Sequence, residues 1–178
     1  AGITYIETDL PGMVARKRPL LTGLGSLSSR HRVITCNILD LGTTDSLEAV
    51  IARECNPARP LVVITEGLVN YFELATISTM WQRLATLLKG FPLGIYLTDV
   101  YPEVEGHRFA GIIKASNQLL RTASRSRFML HFSSDRSMQS HFLAQGFAQT
   151  TVFNPDHEKT EAPAARGGAI VRVILTQA

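Results

Sequence analysis

Carboxylate and amide side chains follow four predicted strands, at the point where each strand ends. They are Glu7, Asp9, Asn37, Asp40, Glu66 and Asp99. In open α/β sheets, ligands bind beyond the carboxyl ends of the strands, so these positions are the first candidates for a site. A rim of acceptors without fixed cations suits a ligand rich in hydroxyls and amines, such as a ribose, an adenine or an ammonium group, better than a phosphate.

Each of these acids also has a purely structural interpretation, because Asp, Glu and Asn are preferred at helix N-termini and in loops. Asp9 and Asp40 fit either role equally well. The binding role is favoured for Glu66, since Gly67 follows it and the most apolar strand precedes it.

Three further side chains are candidates for a catalytic base: His131, His107 and Tyr101. A lone histidine more often has a structural role, and the sequence does not decide between the roles. His141 lies on the apolar stripe of a predicted helix, which indicates packing, and His31 is predicted in a polar loop.

Several common catalytic motifs do not occur in the sequence. There is no Gly-x-Ser-x-Gly, HExxH or Walker A pattern, and the "TGLGS" stretch follows a helix instead of a strand. Cys36 and Cys55 lack the spacing of a zinc site or a disulfide framework, so no metal is expected. Two unpaired thiols are typical of the reducing cytoplasm.

The strands that position the rim alternate with helices. "ITYIE", "RVITCNIL", "LVVIT" and "FPLGIYLT" are separated by helical patterns, which predicts a parallel sheet covered by helices. "LVVIT" is apolar on both faces and is predicted at the middle of the sheet. The last two strands, "FAQTTVFN" and "AIVRVILTQ", are joined by a polar loop, which predicts an antiparallel hairpin.

The helices have readable boundaries. "DSLEAVIAREC" is predicted to begin with Asp45 as N-cap, and "FAGIIKASNQLLRTA" and "SDRSMQSHFLAQG" are two later helices. In "ELATISTMWQRLATLLK" one apolar stripe is formed by Leu74, Ile77, Trp81, Leu84 and Leu88.

Composition excludes several classes of protein. The 178 residues are 45% hydrophobic and 19% charged, as in a folded globular domain. The net charge is +3, but the basic runs are short and lack interleaved aromatics, so no nucleic-acid partner is expected. No apolar run reaches the roughly 18 residues that a membrane span needs. We expect a cytoplasmic protein, and the sequence leaves homo-oligomer formation open.

Two segments resemble a known family. "YIETDLPGMVARKRPLL" and "RPLVVITEGLVNYF" are similar to the leucine carboxyl methyltransferases, and within them to the tetracenomycin-type polyketide O-methyltransferases. The residues that carry the resemblance are Glu7, Asp9, Leu10, Pro11, Lys17, Glu66, Gly67, Leu68 and Tyr71.

The resemblance implies a class I methyltransferase-like, Rossmann-like three-layer sandwich that binds S-adenosylmethionine. Asp9 would hold the ribose hydroxyls with Glu7 nearby, and Glu66 with Gly67 would face the methionine end. Asn37 and Ile38 would lie beside the adenine. Family members often have Asp at the first of these two positions, so Asp40 is the substitute for that contact.

The resemblance also predicts the domain organisation. Residues 1–178 would form one domain, which we expect to be N-terminally incomplete, because family members carry a strand and a glycine-rich turn before the acidic pair. Residues 101–131 would form a substrate cover, with Phe109, Ile112 and Ile113 as lining residues.

Three functions remain open from the sequence. The favoured one is O-methylation of a small-molecule hydroxyl or carboxylate, with a polyketide-like or a carboxyl acceptor, and a carboxylate acceptor would need no base. An NAD-dependent oxidoreductase also places an acid after its second strand. A non-catalytic binding module with a degenerate methyltransferase fold is the third.

Overall fold

The fold is described from a computed structural model. It describes residues 2–103, 128–154 and 172–178, so the predicted helix "FAGIIKASNQLLRTA" and most of the proposed cover at 101–131 lie outside the described residues. The chain divides into two compact units, Ala1–Asn56 and Pro57–Ala178.

The first unit is a strand–helix–strand–helix arrangement. Its elements are β1 (Tyr5–Asp9), α1 (Pro11–Gly23), β2 (His31–Thr35) and α2 (Leu47–Glu54). β1 and β2 are parallel, and Asp9 is in register with Thr35. The Cys36 amide donates to the Asp9 carbonyl at 3.0 Å, which extends the pairing one residue past the end of β2. The end of β1 and the residues after β2 therefore share one edge.

Helix α2 begins one residue later than the sequence predicts. Its N-cap is Ser46, whose buried hydroxyl accepts a hydrogen bond from the Ala49 amide at 3.4 Å. The Asp45 carbonyl accepts instead from the Asn37 amide at 2.9 Å, so Asp45 belongs to the loop. The prediction of Asp45 as N-cap is wrong because this tertiary contact pairs its backbone with the end of β2.

The second unit contains a four-stranded sheet. Its elements are β3 (Leu61–Thr65), a 3-10 turn (Val69–Tyr71), α3 (Leu74–Leu88), β4 (Gly94–Val100), α4 (Asp135–Ala144), β5 (Gln149–Phe153) and β6 (Arg172–Gln177). The strand order is β3-β4-β6-β5, with β3 parallel to β4, and β6 antiparallel to both β4 and β5. The predicted C-terminal antiparallel hairpin is confirmed.

Strand β3 lies at the edge of this sheet, so its predicted central position is wrong there. Val62 and Ile64 are 53% and 60% exposed. The described helices α3 and α4 pack on the opposite face of the sheet, where Tyr96 and Ile174 are buried. Within the described part of this unit, helices therefore cover only one of the two apolar faces of β3.

The core of the second unit lies between that sheet face and helices α3 and α4. The predicted stripe on α3 is buried from Ile77 to Leu88, while Leu74 is half-buried. The Trp81 indole N–H donates to the Tyr96 hydroxyl at 3.2 Å, and its ring lies 4.5 Å from that of Phe142. A Cβ at Gly94 would collide with the Leu88 carbonyl, so glycine lets β4 begin directly beneath the end of α3.

Candidate functional site

Glu7 and Asp9 form the acidic end of β1. They are two residues apart on a strand, so both side chains point to the same face. The Lys17 ammonium on α1 lies 3.1 Å from the Asp9 carboxylate and 3.7 Å from that of Glu7. Its hydrogen bond to Asp9 is the main cause that raises the pKa of Lys17. The pair is thus partly exposed and lies beside the ammonium of Lys17.

His31 is a second partner of this pair. It begins β2, so its predicted loop position is wrong, and its Nε2 lies 3.0 Å from a Glu7 oxygen. Its Nδ1 lies 2.9 Å from the Ser26 carbonyl, which can only accept a hydrogen bond, so Nδ1 carries the hydrogen. Two ring contacts therefore fix the imidazole beside Glu7.

The loop after β2 uses its polar groups internally. The Asn37 side chain donates to Asp40 at 2.8 Å and accepts from the Leu39 amide at 3.1 Å. Asp40 also accepts from the Thr43 hydroxyl at 3.5 Å. Ile38 follows Asn37 and is half-buried. These contacts hold Asn37 and Ile38 just past the edge that carries Asp9, in a loop shaped by Asp40.

The end of β3 carries a tight turn. Glu66 is exposed, and Gly67 has a φ of 59°, a left-handed conformation that glycine adopts without steric cost. The Gly67 amide donates to an Asp99 oxygen at 2.8 Å. Asp99, at the end of β4, therefore shapes the turn that presents Glu66, and one carboxylate oxygen of the predicted rim has a structural role.

Asn70 joins three stretches of the second unit. Its buried side chain donates to the Tyr101 and Met129 carbonyls and accepts from the Tyr101 amide at 3.0 Å. Its own carbonyl accepts from the Met129 amide at 2.7 Å. Asn70 thereby fixes the chain on both sides of residues 104–127. Sequence reasoning did not single it out, although it lies inside the quoted "EGLVNYF".

The candidate bases occupy different surroundings. Tyr101 meets the ring of Phe128, and His107 lies outside the described residues. Burial lowers the pKa of His131, against an opposing effect of the Val69 and Phe72 backbone and of Glu73. His131 Nε2 is buried without a hydrogen-bond partner among the described residues.

His141 packs as predicted. Its ring lies 5.8 Å from that of Trp81, and its Nε2 lies 2.8 Å from the Ser78 hydroxyl. Burial is the main cause that lowers its pKa, and the neighbouring His131 lowers it further. This side chain belongs to the core of the second unit.

A groove lies between α1 and β2 in the first unit. It has a volume of about 730 Å³, and its lining residues include Val14, Arg18 and Thr35. Neither Glu7 nor Asp9 lines it. Among residues 2–103, 128–154 and 172–178, no cluster of three or more His, Cys, Asp or Glu side chains could hold a metal ion. No helix in that described part is long and apolar enough to cross a membrane.

Comparison with known proteins adds a family match over the first part of the chain. Residues 1–85 match the family model of the leucine carboxyl methyltransferases. This region includes both segments that carry the resemblance, with Glu7, Asp9 and Lys17 in the first and Glu66 in the second. No curated protein shows significant sequence similarity to the chain.

Solved structures match nearly the whole chain at low identity. PigF with SAH superposes with a TM-score of 0.60 at 16% identity, covering 99% of this chain and 43% of PigF. An O-methyltransferase family protein from Burkholderia thailandensis gives 0.60 at 17%, covering 98% and 43%. Human N-acetylserotonin methyltransferase in complex with SAM gives 0.58 at 13%, covering 98% and 40%.

These matches establish the fold. The chain has an α/β methyltransferase-like fold of alternating strands and helices, which matches class I O-methyltransferase structures and confirms the predicted fold class. The chain spans about two fifths of the length of those three structures.

Proposed function

We propose that this chain is an S-adenosylmethionine-dependent O-methyltransferase domain that acts on a hydroxyl or carboxylate of a small molecule. The observation that carries the proposal is the acidic end of β1. Glu7 and Asp9 lie there on one face beside Lys17, within the residues that match the methyltransferase family model. Two structures that share the fold have SAH or SAM in their names, which supports the choice of cofactor.

The residues present fit the ribose of that cofactor. A ribose offers two hydroxyl donors, and ionised carboxylates are acceptor-only groups with free lone pairs. One Asp9 oxygen accepts from the Leu10 amide at 2.9 Å, and the other faces Lys17 at the partly exposed end of the strand. Asp9 would accept hydrogen bonds from the ribose hydroxyls, with Glu7 nearby. Hydrogen bonds to a charged group are worth about 1.5–3 kcal/mol each.

The other cofactor contacts are assigned on the same basis. Asn37 and Ile38 would border the adenine, because the Asp40 contact holds them at the edge that carries Asp9. Glu66 would face the ammonium of the methionine part, because it is exposed beside the turn that the Gly67–Asp99 bond forms after β3.

The chain contributes alignment to the reaction. When bound, S-adenosylmethionine would supply a sulfonium methyl group for in-line displacement by the acceptor oxygen, with S-adenosylhomocysteine as the leaving group. Holding two reactants in line contributes up to about 7–11 kcal/mol in favourable cases. A carboxylate acceptor needs no base, whereas a hydroxyl acceptor would use one. His131 and Tyr101 are the two described candidates for that base.

Calorimetric titration tests the cofactor. We expect S-adenosylmethionine and S-adenosylhomocysteine to bind, and NAD not to bind. Asp9→Ala should lower the affinity for S-adenosylhomocysteine by at least about tenfold, which is the equivalent of one hydrogen bond to a charged group. Asp45→Ala is the matched control, because it removes a carboxylate of the same unit that lies in the loop before α2.

The outcomes separate the three functions. Binding of NAD alone would support the oxidoreductase, and no binding of any of the three compounds would favour the non-catalytic module. Equal losses in Asp9→Ala and Asp45→Ala would show that the acidic end of β1 is not the ribose site.

A further inference from the structure

Three aromatic side chains lie together beyond the carboxyl end of β4. Tyr71 ends the 3-10 turn that follows β3, Tyr101 directly follows β4, and Phe128 joins them from the stretch before α4. The ring of Phe128 lies 5.6 Å from that of Tyr71 and 5.1 Å from that of Tyr101. We call these three residues the aromatic cluster. Its place beyond the strand ends is where open α/β sheets bind their ligands.

The geometry of the cluster leaves aromatic surface accessible. Both tyrosine rings stand nearly perpendicular to the ring of Phe128, at 85° and 77°. Tyr71 is 50% exposed, whereas Phe128 and Tyr101 are half-buried. The exposed part of Tyr71 can therefore stack on a flat aromatic ligand.

The cluster is held by Asn70, which is itself 2% exposed. The Asn70 carboxamide bonds to both the N–H and the carbonyl of Tyr101, and to the carbonyl of Met129, the neighbour of Phe128. Tyr71 is the next residue after Asn70 in the chain. One buried amide therefore fixes the backbone beside all three rings.

We infer that Tyr71, Tyr101 and Phe128 form a binding surface for a flat aromatic group of the methyl acceptor, with Asn70 as the positioning residue that holds the three rings in place. The inference rests on the proposed function for the identity of its ligand as an acceptor. Binding of an aromatic compound to the cluster does not depend on the cofactor, so the two proposals can fail separately.

The test uses a pair of probes that differ only in aromaticity. 2-Naphthol and its saturated counterpart 2-decalol are titrated into the full chain by calorimetry. We expect 2-naphthol to bind about fivefold tighter or better, since aromatic contacts are favourable beyond the area they bury. Equal affinity for the two probes, or no binding of 2-naphthol, would overturn the inference.

Two surface variants locate the binding. Tyr71→Leu and Phe128→Leu each replace an aromatic ring by an aliphatic side chain. Each should therefore lower the affinity for 2-naphthol by about twofold to tenfold. Phe91→Leu is the matched control, because Phe91 is a half-buried aromatic that precedes β4, at the opposite end of that strand. Equal weakening by Phe91→Leu would show that 2-naphthol does not bind at the cluster.

Asn70→Asp tests the positioning role through a pH profile. The ionised aspartate donates no hydrogen bond and repels the Tyr101 and Met129 carbonyls, so 2-naphthol binding should weaken near neutral pH. Protonation restores one donor, and affinity should recover on acidification more in this variant than in the wild type. A loss that does not change with pH would contradict the positioning role. S-adenosylhomocysteine binding, measured in parallel, reports on the proposed function alone.

Discussion

The two compact units carry different kinds of side chain at the ends of their parallel strands. In the first unit, the end of β1 carries Glu7 and Asp9, which are partly exposed and balanced by Lys17. In the second unit, the end of β4 is surrounded by the buried amide of Asn70 and by aromatic rings. Exposed charges contribute little to stability but can bind a polar ligand, whereas a buried amide must be fully bonded to be tolerated. The comparison predicts that substitution of the buried groups of the second unit lowers stability, whereas substitution of the exposed acids at the end of β1 mainly affects binding.

The greatest loss of stability is expected from a substitution in the core of the second unit. Phe142 is fully buried and contacts the rings of Trp81, Tyr96 and Phe147. Phe142→Ala should lower the free energy of unfolding by about 3–5 kcal/mol, measured by urea titration with Trp81 fluorescence. Leu143→Ala is the matched control at the next, 42% exposed position and should change it by less than about 0.5 kcal/mol. Similar losses in both variants would contradict the described packing of α4.

The next effect tests the buried amide. Asn70→Ala leaves the N–H and carbonyl of Tyr101 and the carbonyl of Met129 without their partner, and an unsatisfied buried group costs about 1–3 kcal/mol. Urea unfolding should show a loss in that range. A change below about 0.5 kcal/mol would mean that water replaces the amide and that the stretch around Tyr101 is not fixed by Asn70.

Acidification should destabilise the second unit. Burial lowers the pKa values of His131 and His141 in the folded state. In the unfolded chain the pKa of a histidine is about 6.5. Between these values the unfolded state binds more protons, so the free energy of unfolding falls as the pH drops below about 6.5, and levels off below the folded pKa values. Urea titrations at about pH 7.5 and 5.5 measure this fall. His141→Asn should reduce this loss of stability on acidification. An unchanged pH dependence in the variant would contradict the lowered pKa of His141 as a cause.

The smallest effect on stability is expected in the first unit. Lys17→Met removes an ion pair whose cation is 38% exposed, and exposed pairs contribute about 0–1 kcal/mol. The free energy of unfolding should therefore change by less than about 1 kcal/mol, and its dependence on salt should weaken. A loss as large as that of Asn70→Ala would mean that the two strand ends do not differ in the way described.

Much of the fold could be predicted from the sequence because it depends on local patterns. The order of strands and helices follows from apolar periodicity, and the stripe on α3 from Ile77 to Leu88 is buried as its spacing requires. The hairpin of β5 and β6 follows from two strand patterns with a polar loop between them. The edge position of β3 in its sheet could not be predicted, since an apolar strand does not reveal how many neighbours it has.

The candidate site was predictable at its acids and not at their partners. Glu7, Asp9 and Glu66 could be identified because the ends of apolar strands can be predicted from the sequence. Lys17 and His31 become partners of Glu7 only when α1 and β2 fold against β1, a tertiary event that spacing does not encode. Asn70 is the clearest omission, because its hydrogen-bond partners lie 31 and 59 residues away in the chain. Asp45 is not the N-cap of α2, because its carbonyl accepts a hydrogen bond from the Asn37 amide after β2, a contact that the capping pattern does not encode.

A binding cycle tests whether the Asp9 carboxylate contacts the ribose hydroxyls of the cofactor. S-adenosylhomocysteine and its analogue without the two ribose hydroxyls are titrated into the wild type and Asp9→Ala. We expect the wild type to prefer the natural compound by at least about tenfold, and this preference to disappear largely in Asp9→Ala, because the carboxylate and the hydroxyls form hydrogen bonds with each other. The same preference in both proteins, or none in the wild type, would contradict it.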